Sequence, residues 1–282
     1  MSNPLVIYHA KCLDGMTAAW AVKKALGAGD YVPASHGDAP PDVAGRDVVI
    51  VDFSYKRAVI EAMALQANSL LVLDHHKSAQ AELAGLPYAV FDMNRSGAGI
   101  AWDYFHPQTP RPDLVDLVED SDLWRFALQG TKEFQLRLDI ENMTFDNWDR
   151  LSDMSESQLE RFIAEGEVLR RAFDREVDAL LADCYPVTLS GETGHAVNAT
   201  GRYSSELGHR LAMLTGNFGM VWCQRGAALK VSLRSSGEYD VSELAAQFGG
   251  GGHRNAASFT LPVSPQAYAI VAGMPSADQP SE

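Results

Sequence analysis

The sequence predicts an α/β protein with a parallel N-terminal sheet and a smaller α/β unit after it. Three observations predict it. First, short apolar runs recur through the first third: Leu5-Val6-Ile7-Tyr8, Asp47-Val48-Val49-Ile50-Val51 and Leu70-Leu71-Val72-Leu73. Continuous runs of this kind read as strands buried on both faces. Second, helical segments separate them, and strands alternating with helices indicate a parallel sheet. Third, the runs end on polar residues: His9, Asp52, and Asp74-His75-His76. A buried strand cannot hold such groups without partners. They therefore belong just past the strands' C-terminal ends, where open parallel sheets bind ligands.

The elements follow in order. After the first strand, a loop carries Cys12, Asp14 and Gly15, and Met16 to Leu26 reads as an Ala-rich helix stopped by Gly27. Arg57 to Ala67 is helical between the second and third runs, and Tyr88 to Asp92 is a further strand. Gly97 to Phe105 and Pro112 to Ser121 read as helices, with Asp120 and Asp122 near the end of the second. Residues 125–150 carry no clear periodicity. Ser155 to Leu181 is a long charged amphipathic stretch suited to a helix connecting two domains.

The second unit begins near Cys184. Strand-like runs appear at Val187–Leu189, Ala196–Asn198, Met220–Cys223 and Leu229–Leu233, with helices over Ser204–Leu214 and Val241–Phe248. A glycine run, Gly249 to Gly252, closes on His253 and is expected to open a short helical stretch, Arg254–Ala257. The expected division is a metal-site domain over 1–150, a helical linker over 151–183, a substrate-binding domain over 184–265 and a tail from 266 to 282. The tail is rich in Pro, Ser and acid from Met274 onward, a composition that favours disorder.

Composition narrows the function. The 282 residues are 46% hydrophobic and 21% charged, ordinary for a globular chain with room for two domains. No apolar stretch reaches the roughly 18 residues that span a bilayer, and the N-terminus lacks a signal-peptide pattern, so a cytoplasmic protein with no membrane partner is expected. Three scattered cysteines are too few for a disulfide framework. The net charge of -14 argues against long duplex nucleic acid, whose binding rests on a basic surface. A small nucleotide or short oligonucleotide fits better.

His9, Asp14, Asp52, His75, His76 and Asp122 thus converge on one sheet edge. The carboxylates would repel one another there, and divalent cations remove that repulsion. Mixed Asp and His ligands favour Mn2+, Mg2+ or Zn2+. Five or more ligands exceed one tetrahedral zinc, whereas two ions about 3.5 to 4 Å apart would use them all.

Together these residues resemble the DHH phosphoesterases, named for the triplet that stands here as Asp74-His75-His76. The first family motif is matched by His9-Ala10-Lys11-Cys12-Leu13-Asp14-Gly15, the second by Asp52, and the fourth, a helix-borne Asp, by Asp122 in preference to Asp120. The run from Gly249 to Ala257 resembles the DHH-associated C-terminal domain of the nano-RNase and RecJ-like branch. The resemblance covers nearly the whole chain. It implies that His9 and Asp52 hold one metal, that Asp14, Asp52, His75 and Asp122 hold the other, and that Asp52 bridges. His76 would act beside the reacting phosphate as the catalytic donor, with Asp74 orienting the loop behind it. Arg234, Ser235, Gly251, Gly252 and His253 would grip the substrate's far phosphate or nucleotide.

One departure stands out. Cys12 occupies the place where many members have an earlier Asp. Its thiolate could bind a metal, or a free thiol could leave that metal with more water. The function expected is metal-dependent hydrolysis of short oligonucleotides, dinucleotides or related nucleotide phosphates, with Mn2+ as the first candidate ion; a homodimer is compatible with it. Alternatives are a cyclic mono- or dinucleotide phosphodiesterase, an exopolyphosphatase or pyrophosphatase, and an inactive nucleotide-binding module.

Overall fold

A computed structural model describes residues 3–273. The chain divides into two compact units, Met1–Arg171 and Ala172–Glu282.

In the first unit, β1 (Leu5–His9), β2 (Asp30–Ala34), β3 (Asp47–Val51), β4 (Ser69–Asp74) and β5 (Ala89–Phe91) form one sheet in the order β2-β1-β3-β4-β5. All four pairings are parallel. The apolar runs are continuous because both faces are covered. Val6, Val49, Val51 and Leu73 join one core, whereas Leu5, Ile7, Ile50 and Val72 join the other. Each such side chain contributes roughly 1.5–3 kcal/mol by leaving water. β2 was not legible in the sequence. It is a half-exposed edge strand that carries Pro33, a residue sheets tolerate at an edge.

Helices α1 (Leu13–Leu26), α2 (Arg57–Gln66), α3 (Lys77–Glu82), α4 (Gly97–Phe105) and α5 (Asp113–Asp122) follow the strands. The stretch that lacked periodicity holds α6 (Thr131–Leu138) and α7 (Phe145–Ser152). Each is only two turns long, and each is fixed by a few fully buried anchors: Phe134 and Leu138 from α6, Trp148 and Leu151 from α7. Trp148 donates from Nε1 to Thr17 Oγ1 at 2.8 Å, and Trp20 donates to Asp149 Oδ1 at 2.9 Å. These indoles are core members with satisfied N–H groups.

Helix α8 (Glu156–Leu181) runs through the division between the units. Its first half packs Leu159, Phe162 and Ile163 on the first unit's core. Its second half packs Phe173, Val177, Leu180 and Leu181 with Val197, Leu207 and Leu211 of the second unit. The stretch expected as a linker is thus shared out between two cores.

The second unit is built on a six-stranded sheet. Its strands are β6 (Tyr185–Leu189), β7 (Glu192–Asn198), β8 (Phe218–Arg225), β9 (Ala228–Ser235), β10 (Gly251–His253) and β11 (Ala256–Pro262), ordered β10-β11-β9-β8-β7-β6. Only β7 and β8 run parallel, and α9 (Ser204–Thr215) connects them. The β6–β7 hairpin turns through Ser190 and Gly191, both at positive φ, as a two-residue primed turn requires.

Two expectations are corrected here. Arg254–Ala257 is not helical: Arg254 and Asn255 turn a hairpin in which Gly252 pairs with Ala257 and His253 with Ala256. Period-two burial of Ala257 and Phe259 against the sheet core outweighs any local helical preference. The tail does not begin at 266 either. α10 (Val241–Ala246) is followed after β11 by α11 (Pro265–Val271), which Ser264 caps by accepting from Ala267 N–H and which buries Ala267 and Val271. Residues 274–282, expected to be disordered, lie outside the described residues.

Candidate metal centre

The parallel register brings the ends of β1, β3 and β4 side by side. His9 closes β1, Asp52 follows β3, and His75 and His76 follow β4. Asp52 has a φ of 52°. Asp tolerates this left-handed region better than most residues, and strain of this kind gathers at functional sites. The backbone kink points its carboxylate into the edge, where His75 Nε2 lies 3.2 Å from Oδ1 and His9 Nδ1 lies 3.4 Å from Oδ2. The same His75 nitrogen is 3.6 Å from Asp14 Oδ2 and 3.6 Å from Asp122 Oδ2.

Asp14 sits in the first turn of α1 and is only 2% exposed. Its carboxylate accepts two N–H groups from the start of α4: Gly97 to Oδ2 at 2.6 Å and Ala98 to Oδ1 at 2.9 Å. A helix N-terminus suits an anion. Gly97 has to be glycine, since a Cβ there would stand 2.4 Å from Asp52 Cβ. Behind it, buried Glu119 accepts Ser96 N–H at 3.1 Å and pairs with Arg95 and Arg111 at 3.0 Å each. Sequence reasoning missed this support. The run of small residues Ser96-Gly97-Ala98-Gly99 was its one visible trace, because small residues mark close backbone approach.

Asp74 is fully buried. Its Oδ1 accepts His75 N–H at 2.7 Å and contacts His76 Nδ1 at 2.7 Å. It therefore orients the loop that carries both imidazoles. Asp120 and Asp122 play different parts. Asp120 accepts Ala127 and Leu128 N–H groups at 2.9 and 3.0 Å and the Thr131 hydroxyl at 2.5 Å, tying down the loop before α6. Asp122 faces His75.

Protonation follows from the crowding. Burial and the carboxylates of Asp52 and Asp122 hold Asp14 well above the usual carboxylate range. Asp122 is also raised, chiefly by burial, with His75 opposing and Asp52 adding to the shift. Burial and the surrounding acids push the Cys12 thiol well up. Burial opposes the charged forms of Asp52 and His75 alike, yet their hydrogen bond prevails: Asp52 is held low and His75 is pushed up to about 10. His76 is raised too, because Asp74 overcomes its burial.

This donor set fits divalent cations. Three or four nitrogen, sulfur and oxygen donors lie within 4.8 Å of one another in His9–Cys12–Asp52, in Asp14–His75–Asp122 and in Asp52–Asp74–His75–His76. Asp52 Oδ2 and Asp74 Oδ2 are buried without a hydrogen bond among the described residues. A cation beside the clustered carboxylates would offset the repulsion that raises Asp14 and Asp122.

In the second unit, Arg234 lies near the end of β9, paired with Ala256 of β11 and Gly219 of β8. Its guanidinium donates to Ser205 Oγ at 2.9 Å and to the Leu233 carbonyl at 2.9 Å. Burial lowers its pKa to about 10, which leaves it cationic at neutral pH. Ser235, expected to touch substrate, also holds the turn that follows it. Its buried hydroxyl donates to the Tyr239 carbonyl at 2.7 Å and accepts Asn255 Nδ2 at 3.0 Å, stapling the hairpin turn. Gly251, Gly252 and His253 form the edge strand beside β11, and the φ of 144° at Gly252 demands glycine. Asn198 donates to the Trp222 carbonyl at 3.1 Å and so serves β8.

Comparison with known proteins bears on both units. The DHHA1 domain family matches residues 189–274. An uncharacterized protein of Acanthamoeba polyphaga mimivirus is 29% identical over 297 residues, covering 91% of this chain and 67% of its own. Oligoribonuclease NrnB of Bacillus subtilis is 25% identical over 224 residues, which is 67% of this chain but 52% of that protein; the chain spans about half its length. Among solved structures, the DHH domain of a member of the s1p family of ribosomal proteins superposes with a TM-score of 0.60 at 13% identity, covering 96% of this chain and 85% of that one. RecJ of Thermus thermophilus in complex with Mn2+ gives 0.52 at 15%, covering 96% and 50%, and the pGpG-specific phosphodiesterase of Vibrio cholerae gives 0.52 at 15%, covering 93% and 94%. At these identities the superpositions speak for the fold. Among the described residues no helix is long and apolar enough to cross a membrane. Residues 189–274 thus match the DHHA1 domain family, and the first unit, with Asp74-His75-His76 at the edge of its parallel sheet, has the fold of a DHH domain; together these support a DHH-family phosphoesterase.

Proposed function

We propose that the protein is a metal-dependent phosphodiesterase acting on short oligonucleotides or dinucleotides, with Mn2+ the preferred ion. The observation that carries this is the pair of neighbouring ligand groups, His9–Cys12–Asp52 and Asp14–His75–Asp122, linked by the 3.2 Å contact of Asp52 with His75. His9 and Asp52 would hold one ion, with Cys12 able to join them; Asp14, Asp52, His75 and Asp122 would hold the other. Bound divalent cations supply Lewis acidity at the phosphoryl oxygens and a nucleophilic water at neutral pH.

The chain's own residues do the rest. The α4 N-terminus holds Asp14 in one orientation through two N–H groups. Asp74 favours the charged form of His76, which then donates to the reacting phosphate or protonates the departing oxygen. Arg234, Gly251, Gly252 and His253 bind the substrate's unreactive phosphate or nucleotide, where an arginine is suited to a bidentate contact. Ser235 shapes that surface by stapling the hairpin.

Short substrates are favoured by the net charge of -14, which offers no extended basic track. One relative points the same way by name, an oligoribonuclease. The test is a panel of mono-, di-, tetra- and longer oligonucleotides with Mn2+ added after exhaustive chelation, followed by product chromatography. The expected result is metal-dependent turnover that falls beyond a few nucleotides. Full activity in chelator, or a length-independent rate on long strands, overturns it.

A further inference from the structure

Beside the ligand groups, and wholly within the first unit, lies a cavity of about 240 Å3. Cys12, Asp14 and Asp122 form part of its wall, so whatever fills it abuts the proposed reaction centre. Leu138 of α6 and Met143 of the following loop give it an apolar side. Gln135 also lines it, half-buried, and its side-chain amide makes no hydrogen bond among the described residues. No role described so far uses this space.

We propose that the cavity is a nucleobase subsite that takes one amino-bearing base of the substrate, adenine in preference to uracil. The inference rests on the phosphodiesterase reading for its substrate class. Its chemistry comes from the lining. The apolar side desolvates a planar ring, as ligand pockets usually do with a few placed polar groups for orientation. The Gln135 amide offers a donor and an acceptor side by side, the pair that meets the N6/N7 edge of adenine. Asp139, a wall carboxylate outside the proposed ligand set, accepts an exocyclic amine but repels a carbonyl-edged base. Single-stranded bases are recognised in this way, by stacking on one face and hydrogen bonds at the edge.

The test uses the full chain with two substitutions, Met143→Trp to fill the cavity from its exposed loop and Gln135→Ala to remove the amide. Equilibrium dialysis with adenosine and with uridine reads the site directly, without turnover. The wild-type chain is expected to bind adenosine about tenfold tighter than uridine, the scale of one hydrogen-bonded contact. Either substitution weakens adenosine by a similar factor. With Mn2+ present, the wild-type chain should also prefer a diadenosine over a diuridine dinucleotide, and Gln135→Ala should level that ratio. Adenosine binding no tighter than uridine overturns the subsite, as does adenosine binding untouched by both substitutions. If adenosine binds and Met143→Trp abolishes it, while no dinucleotide is ever cleaved, the base site stands and the phosphodiesterase reading falls. If dinucleotides are cleaved at rates indifferent to both substitutions and to base identity, the phosphodiesterase reading stands and the base site falls.

Discussion

The two sheets present their functional groups in opposite ways. In the first unit, charged side chains stand on loops past parallel strand ends, buried and crowded: Asp14 and Asp52 are each 2% exposed, with His75 between them. In the second, the groups sit on strands and a hairpin, and the constraint is room. A Cβ on Gly208 would lie 2.6 Å from Arg234 Cγ, and one on Gly250 would lie 2.1 Å from the Ser258 carbonyl oxygen. The first region is limited by electrostatics and the second by volume. Changes of charge should therefore break the first, and added atoms the second.

The largest effect is expected from Asp52→Asn. Asn keeps the left-handed backbone conformation that Asp52 occupies, so the fold should survive. The shared carboxylate is gone, and both turnover and Mn2+ content should be lost. Cys12→Ser, at a residue that touches at most one ligand group, should retain measurable turnover. Metal analysis beside the activity assay decides it; a Cys12→Ser enzyme as dead as Asp52→Asn would make the thiol an essential ligand.

Arg234→Ala comes next. Loss of one charge-assisted contact is worth roughly 1.5 to 3 kcal/mol, or about 10- to 150-fold in binding. The loss should appear in KM for a dinucleotide, with metal content unchanged. Loss of metal on this substitution would mean that the two regions do not divide the work as described.

Gly208→Ala sharpens the contrast further. One methyl pressed against the Arg234 stem should cost about 1 to 3 kcal/mol of stability and raise KM less than Arg234→Ala does. Thermal melting and steady-state kinetics read both. A variant as stable as wild type would show that the arginine has space to move.

A pH dependence is expected in the first region alone. His75 is raised from its ordinary value to about 10 in the metal-free protein. A raised histidine stabilises fully below its unfolded pKa near 6.5, and that stability is lost as pH climbs through about 10. Melting temperature in chelator should therefore fall between these limits. Mn2+ should bind more tightly over the same window, because His75 must give up its proton to become a ligand. A melting temperature that rises with pH in chelator would contradict the arrangement of His75 among three carboxylates.

Much of this was legible in the chain itself. Runs such as Val48-Val49-Ile50-Val51 declare a doubly buried strand because both faces must be apolar, and polar residues are then forced to its end. That rule alone brought His9, Asp52 and Asp74-His75-His76 to one edge. β2 escaped because an edge strand with one open side need not be apolar, and α6 and α7 escaped because two turns are too short to show a period.

What only the tertiary structure decided is which neighbour each polar group meets. Asp120 and Asp122 are two residues apart on one helix and differ little in sequence, yet one ties Thr131 and its loop while the other faces His75. Ser235 adjoins Arg234, but the turn at Asn255 claims its hydroxyl. The clasp of Asp14 by Gly97 and Ala98 joins positions 83 and 84 residues apart. Burial and strand ends follow from local periodicity, which a linear pattern records. The pairing of a carboxylate with an N–H or an imidazole depends on side-chain directions set by packing between distant elements, and no local pattern records that.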